Sequence, residues 1–256
     1  MKRLSIAIIL ISMVSLALGV SEFESITTPT SKALEKGSYN FETKFYENSS
    51  MRLTSQIGLF DRLSIGFSYG AENFVGNKEP DWNDHIDFKA KFQLLKETIN
   101  IPSLALGFDS EGHGVWHEDL KRYSMKSPGF YAVIGKNDLL LRGSLINIGA
   151  NRSTEDSDGD KDINTFITLG QSIGEDLNFT LEYNFAFNDN ANNSTNEVEK
   201  YGDGKGYLNF SVGWFIIPDL QFKFSVYDLL ENSPNFQPTE KTTFDRAFQI
   251  IYSTKF

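Results

Sequence analysis

The dominant pattern in this sequence is an alternation of apolar and polar residues with a period of two. It is most regular at 177–188, where every second residue is apolar: Leu177, Phe179, Leu181, Tyr183, Phe185 and Phe187. The same alternation occurs at 39–45, 86–94, 208–214 and 220–226. Successive side chains of a β-strand point to opposite faces, so these segments predict strands with one apolar and one polar face.

Twelve such strands are predicted along the chain, and most are longer than the strands of soluble sheets. They lie near 38–47, 50–60, 63–72, 85–95, 102–111, 127–136, 139–149, 162–173, 177–188, 205–216, 219–229 and 243–256. Their lengths match the roughly 9 to 11 residues of a tilted strand that crosses a bilayer. The predicted fold class is all-β: a transmembrane, antiparallel, up-and-down β-barrel of about 12 strands.

The connections between these strands differ in length. Short turns at 61–62, 136–138, 174–176 and 218–219 alternate with long polar loops, which lie at about 73–84, 112–126, 150–161, 189–204 and 230–242. Bacterial outer-membrane barrels have short periplasmic turns and long external loops. The pattern therefore predicts an outer-membrane location with both chain termini on the periplasmic side.

The first residues are typical of an export signal. Lys2 and Arg3 precede an apolar run at 4–18, and Gly19 ends a small-residue cleavage site. The run is shorter than the roughly 20 residues of a spanning helix, which disfavours an uncleaved membrane anchor. We therefore divide the chain into a signal peptide (1–19), a periplasmic N-terminal segment (20–37) and a β-barrel domain (38–256).

The amino-acid composition excludes some kinds of covalent bond and disfavours some kinds of partner. The chain has no Cys, which excludes disulfides and a lipid anchor on cysteine. Its formal net charge of −10 disfavours nucleic acid as a partner. Aromatic residues make up 14% of the chain. A soluble periplasmic β-sandwich is the alternative fold, but the sequence offers no second layer to cover so many apolar side chains.

The last predicted strand ends on an aromatic residue. Tyr252 and Phe256 have the same parity in this strand as Phe248 and Ile250. A terminal Phe that closes an amphipathic strand resembles the signal read by the outer-membrane barrel assembly machinery. We expect that machinery and outer-membrane lipid to be partners.

The polar face of the predicted strands carries charges of both signs. The residues predicted to line the lumen are Glu42, Lys44, Arg52, Asp87, Lys89, Lys91, Glu182 and Lys223. Mixed signs on neighbouring strands favour ion-pair ladders that partly fill a narrow lumen. Because Gly66, Gly70 and Gly213 lie on the same face, local free space is also expected there. A passage for small solutes is therefore permitted.

One loop concentrates candidate chemistry. Its polar cluster consists of Asp109, Glu111, His113 and His117. His and carboxylate ligands suit Zn²⁺, but no second ligand-rich segment completes a site. Ser110 beside these His residues could be proposed as a nucleophile, yet no G-x-S-x-G motif is present. We therefore predict no enzyme activity, no cofactor and no metal.

The acidic loop at 156–162 resembles a calcium loop only superficially. Gly159 precedes Asp160, and Lys161 stands where an EF-hand places its glycine. A solvated acidic loop is the expected structure, and weak calcium association is left open.

Two segments carry a family resemblance. Residues 101–109 (IPSLALGFD) and 127–136 (SPGFYAVIGK) resemble the repeating hairpin P-x-L-A-x-G … Y-x-V-x-x-K of YjbH-like barrels. Those are outer-membrane proteins associated with exopolysaccharide production and secretion. The resemblance covers roughly 40 residues and implies a barrel. It transfers no functional residue, since the matched positions are structural.

These observations lead to one functional hypothesis and two alternatives. The hypothesis is an outer-membrane barrel with a channel or transport role, or a role associated with the export of envelope polysaccharide; its ligands would be small solutes or polysaccharide. The first alternative is a structural or surface-interaction barrel with a closed lumen. The second is a soluble periplasmic β-sandwich that binds a ligand.

Overall fold

The computed structural model describes residues 25–190, 202–233 and 244–255. Its elements are β1 (Ser38–Tyr46), a 3₁₀ helix (Glu47–Ser49), β2 (Ser50–Phe60), β3 (Leu63–Glu72), β4 (Asp81–Trp82), β5 (Asp87–Leu95), β6 (Ser103–Asp109), β7 (His113–His117), β8 (Arg122–Met125), β9 (Gly129–Asn137), β10 (Ser144–Arg152), β11 (Asn164–Ile173), β12 (Leu177–Asn184), β13 (Tyr207–Ile217), β14 (Leu220–Tyr227) and β15 (Asp245–Lys255). Within these ranges, no helix has the length and apolar character needed to cross a bilayer. The predicted signal peptide, 1–19, lies outside the described residues.

Twelve strands form a closed antiparallel barrel, which confirms the predicted fold class. When the short strands β4, β7 and β8 are left out, each barrel strand pairs with the next one in the chain. Closure comes from β1, which pairs with both β2 and β15, for example Phe41 with Ser55 and with Tyr252. β4 adds two residues to the edge of β3, and β7 and β8 form a separate hairpin between β6 and β9.

The two faces of the barrel have opposite character. On β3, Phe67 is 56% exposed on the outer face, whereas the neighbouring Ser68 is fully buried inside. Phe130 and Phe224 are more than 60% exposed on the outer face of other strands. An apolar exterior around a polar interior is the reverse of a soluble domain and matches a barrel that faces lipid. The β-sandwich alternative requires a second sheet that covers the apolar face. In the described ranges, no second sheet packs there.

Two predicted strands have a wrong bound: the strand at 177–188 ends at Asn184, and the strand at 139–149 begins late. The prediction at 139–149 began on the apolar run 139–141, but β10 begins at Ser144. The three leucines lie in the connecting turn and are about half to two-thirds exposed. This turn is closed by the Gly143 N–H, which donates to the Asp138 carboxylate at 2.6 Å. Apolar character alone therefore indicated a strand where the backbone reverses.

The described part of the N-terminal segment lies inside the barrel up to Leu34, and Glu35 and Lys36 are exposed at its end. The assignment of residues 20–37 to a periplasmic segment stays a prediction. Thr28 and Ser31 are 4% and 1% exposed. Near the long-loop end of the barrel, Ile26 packs against Tyr207 and Tyr227. The chain leaves at the short-turn end, where the Gly37 N–H donates to the carbonyl of Gly58 at 3.0 Å. We call residues 25–36 the strap.

Candidate functional site in the barrel interior

The strap is held at the long-loop end by one carboxylate, that of Glu182 on β12. The backbone N–H groups of Ile26, Thr27 and Thr28 donate to it at 3.2, 3.1 and 2.9 Å. The hydroxyls of both threonines also donate to it, and so does the side-chain amide of Asn209, at 2.9 Å. Glu182 is fully buried, and this set of donors compensates for the removal of its charge from water.

Two lysines hold the strap through its oxygen atoms. Lys223 donates to the carbonyl of Ser25 at 2.6 Å, at the beginning of the strap. Lys91 donates to the hydroxyl of Thr30 at 2.8 Å and to the carbonyl of Lys32 at 3.1 Å. The charged residues Glu182, Lys91 and Lys223 were predicted to line the lumen, and in the structure they contact the strap.

Glycines give the strap its room near the short-turn end. A Cβ atom on Gly58 would lie well under 3.0 Å from the carbonyl oxygen of Glu35. A Cβ on Gly135 would come equally close to the Ser31 hydroxyl. Both positions are glycine because the strap passes directly over them, with its backbone at Gly58 and with the Ser31 side chain at Gly135. By contrast, the space expected at Gly66 and Gly213 is filled by neighbouring amide side chains.

A cluster of ion pairs covers the wall formed by β1, β2, β5 and β6. Glu111 lies at its centre, with its carboxylate 3.1 Å from Lys89, 3.6 Å from Arg52 and 3.8 Å from Lys44. Burial alone would raise the pKa of Glu111, but the three cations outweigh it and hold that pKa well below its usual range. The predicted lumen residue Glu42 joins the cluster through Lys44 at 3.9 Å.

The remaining predicted lumen residue, Asp87, lies on the same wall, nearer the long-loop end of the barrel. It accepts a 2.6 Å hydrogen bond from the hydroxyl of Tyr123, which belongs to β8. The opposite wall, on β10 to β13, is mostly uncharged and rich in amides; its buried members are Asn147, Asn151, Asn164, Asn178 and Asn209. These Asn residues were not predicted to line the lumen, because only charged positions were considered. The alternation at 177–188 and 208–214 already places Asn178 and Asn209 on the polar face.

The long loop between β6 and β9 folds over the mouth of the barrel, and we call residues 110–128 the cap. Its Arg122 is fully buried and binds Asp189 through two hydrogen bonds of 2.8 Å. Arg122 also donates to Asp158 at 3.0 Å. Glu155 accepts the N–H groups of Tyr123 and Ser127 at 2.9 and 3.0 Å. The cap is thus joined to the loops that follow β10 and β12.

The predicted polar cluster of this loop is split between different environments. Asp109 and Glu111 belong to the ion-pair cluster. His113 stacks on Tyr227 with ring centroids 3.6 Å apart, and His117 lies 3.2 Å from the Ser124 hydroxyl. Burial lowers the pKa of His117 to about 4. Among the described residues, no group of three His, Cys, Asp or Glu side chains could hold a metal ion.

Other candidate residues also have structural partners. The Ser110 hydroxyl, considered as a nucleophile, donates to Asp87 at 3.1 Å. In the acidic loop, Asp158 is paired with Lys126 at 2.6 Å as well as with Arg122. The charge of this aspartate is therefore met by cations of the protein itself.

The predicted assembly signal is described only in part. Tyr252 lies on the outer face of β15, 39% exposed and opposite Phe41. Phe256 lies outside the described residues. Tyr252 thus has the outward orientation that the alternation predicts, and its role in assembly stays a prediction.

With the strap in place, little open space is left in the interior. A cavity of about 190 Å³ follows the strap, between the ion-pair cluster and the amide-rich wall. Its lining includes strap residues from Ser25 to Leu34, so the strap itself forms one side of the cavity. Any solute that crossed the barrel along this path would have to pass or displace the strap.

Comparisons with known proteins agree with the fold. No family model matches the chain, and no curated protein matches it. A solved structure described as KdgM porin in complex with disordered oligogalacturonate is 8% identical, with a TM-score of 0.50, and the match covers 86% of this chain and 99% of that one. The NanC porin is 10% identical with a TM-score of 0.43, covering 85% and 99%. The outer membrane protein Omp33 of Acinetobacter baumannii is 7% identical with a TM-score of 0.43, covering 88% and 100%. At these identities, the similarity to the KdgM porin structure supports the fold alone.

The two segments that resemble YjbH-like barrels form β6 and β9. These strands pair directly, from Ser103 with Gly135 to Asp109 with Gly129, and the cap is inserted between them. The family assignment itself stays a prediction.

Proposed function

We propose that this protein is a channel of the bacterial outer membrane for small polar solutes, and that its own strap closes it in the conformation described here. The observation that carries the proposal is the nature of the strap's contacts. Most are hydrogen bonds to Glu182, Lys91, Lys223 and small polar side chains, and Ile26 is the one described strap residue that belongs to a buried apolar cluster.

Polar contacts of this kind favour a removable occupant. Folding exchanges hydrogen bonds with water for hydrogen bonds within the protein, so each contributes only about 1 kcal/mol net. Water entering the lumen could replace the strap as the hydrogen-bond partner of Lys91 and Lys223. A segment required only for stability would be expected to bury apolar side chains, because removing apolar surface from water is the main contribution that stabilises a fold.

The width of the barrel gives a second reason. Eight strands enclose an interior that side chains alone can fill, whereas twelve enclose a wider one. Here the extra space is taken by the strap, which connects to β1 through Gly37 and has no other strand-like pairing among the described residues. Withdrawal of the strap would leave a passage between the ion-pair cluster and the amide-rich wall.

A closed structural barrel is the second candidate, and the cap favours it. Arg122, Asp158 and Asp189 are buried together at the mouth, where separating them would expose charges that now satisfy one another. A role in envelope polysaccharide export is a further hypothesis. The oligogalacturonate of the KdgM porin complex is an anionic sugar chain, and in this protein Lys44, Lys89 and Lys91 would supply cations for such a chain. We propose no enzymatic role.

Single-channel conductance in a planar bilayer tests the proposal. We would compare the refolded wild type with Thr27→Pro/Thr28→Pro, which lacks two N–H donors to Glu182 because proline has none. The wild type should be mostly silent, and the proline variant should conduct.

Charge reversal then locates the path. In the proline variant, Lys91→Glu should shift ion selectivity toward cations, whereas the exposed Lys96→Glu, in the turn after β5, should not. A proline variant that folds and inserts but stays silent would overturn the channel and leave the closed structural barrel.

A further inference from the structure

We propose that the barrel interior is a binding site for short polar peptides, and that the strap is its resident occupant. This inference names the solute class of the proposed channel, so its transport aspect rests on that proposal. Binding itself does not, since a closed barrel could hold a peptide equally well.

The interior contacts the main chain of the strap at several points. Glu182 accepts three consecutive backbone N–H groups, and the Asn147 side chain accepts a fourth, from Ser31, at 3.3 Å. Lys223 and Lys91 donate to the backbone carbonyls of Ser25 and Lys32. Main-chain contacts are available from any peptide, so they provide affinity without demanding one sequence.

The order of charges along the path also suits a peptide. The carboxylate of Glu182 receives donors from residues 26–28, and Lys91 donates to an oxygen of residue 32. A free peptide of about six residues could place its terminal ammonium at Glu182 and its terminal carboxylate at Lys91. Charge-assisted hydrogen bonds of this type are stronger than neutral ones.

The walls of the interior limit which side chains it accepts. Thr28 and Ser31 hydrogen-bond to hydroxyls of the wall, on Thr168 and Ser103, at 2.9 and 2.5 Å. At Gly135 the strap passes so close that the wall has no room for a Cβ atom. Small hydroxyl-bearing residues fit at the positions of Thr28 and Ser31, where large side chains would collide with the wall. The solute class is therefore peptides rich in Ser and Thr rather than bulky or apolar ones.

The test uses a synthetic peptide with the sequence of residues 25–36, SITTPTSKALEK, labelled with a fluorophore at its C-terminus. Binding to the refolded Thr27→Pro/Thr28→Pro protein is followed by fluorescence anisotropy. We expect saturable binding, at least tenfold tighter than to the wild type, in which the strap competes. If that variant does not refold, Ile26→Asp loosens the strap by removing its apolar anchor instead.

Two matched controls locate the site. Adding Glu182→Gln to the strap-released protein should weaken peptide binding at least tenfold. Adding Glu97→Gln should leave binding unchanged, because Glu97 accepts hydrogen bonds from Asn137 at the short-turn end. A peptide carrying proline at the positions of Thr27 and Thr28 should bind at least tenfold more weakly, because it lacks the same donors.

Each result decides between the two proposals. Absence of saturable binding, or binding indifferent to Glu182→Gln, overturns the peptide site, even if the strap-released variant conducts. Binding to a variant that never conducts supports the site and overturns the channel. Tighter binding of a polygalacturonate oligomer than of the peptide would assign the interior to sugars and also overturn the inference.

Discussion

Replacing Glu182 with Gln should release the N-terminal end of the strap without disturbing the barrel. The side chain keeps its size, but one of its two acceptor oxygens becomes an amide donor. Ile26 and Thr28 both donate to the same carboxylate oxygen, Oε2, and the Thr28 hydroxyl does so at 2.7 Å. If the amide nitrogen takes that place, these three donors lose their acceptor.

The size of the effect follows from the charge of that acceptor. A hydrogen bond to a charged group contributes roughly 1.5 to 3 kcal/mol. Water can take the place of the lost acceptor for some of the three donors, so the total loss is smaller than the sum of three such bonds. We expect the free energy of strap docking to fall by about 3 kcal/mol. Because every 1.4 kcal/mol is a factor of ten, strap opening should increase about 100-fold.

Hydrogen–deuterium exchange of the refolded protein measures this opening directly. The amides of Ile26, Thr27 and Thr28 should exchange about 100-fold faster in Glu182→Gln than in the wild type, while the strand amides keep their protection. Glu97→Gln is the control, since its carboxylate contacts no strap residue in the described structure. Unchanged exchange of the three strap amides would refute the assignment of Glu182 as the residue that holds the strap.

Three further perturbations test other parts of the structure. Gly135→Val should displace the strap by collision with Ser31, and should accelerate proteolysis of the strap while the barrel stays resistant; equal resistance of the strap would contradict the close approach. Arg122→Met should destabilise the cap by roughly 3 to 5 kcal/mol by leaving Asp189 buried without its partner, and should open the cap to protease; a cap as resistant as the wild type would mean that this pair is dispensable. Burial raises the pKa of Glu155 to about 7, above its unfolded value of about 4.3, so cap stability should fall as pH rises from about 4.5 to about 7. Glu155→Gln should remove this pH dependence. If cap stability still falls over this range in the variant, another group is responsible.

The barrel could be predicted because lipid imposes one rule on every strand. Residues such as Phe67 and Ser68 must face opposite solvents, which leaves a period of two in the sequence. The rule fails where the chain reverses. Leu139 to Leu141 share the apolar character of a strand, yet only the Asp138 and Gly143 turn contact shows that they connect two strands.

The strap and the cap could not be predicted from the same pattern. Residues 25–36 contain a Thr- and Ser-rich run with no period, because the strap meets polar groups on several sides. The eight charged lumen residues were identified by parity alone. Their partners were not, since Glu182 and the strap are separated by more than 150 residues in the chain.

The most direct test of closure by the strap uses the absence of cysteine in the natural chain. The hydroxyl oxygens of Ser31 and Ser103 lie 2.5 Å apart, so Ser31→Cys/Ser103→Cys should form a disulfide that ties the strap to the wall. We would introduce this pair into Glu182→Gln and record single-channel conductance before and after reduction. If the strap closes the lumen, the barrel should be silent when oxidised and should conduct when reduced. Equal conductance in both states would show that the strap does not close the lumen.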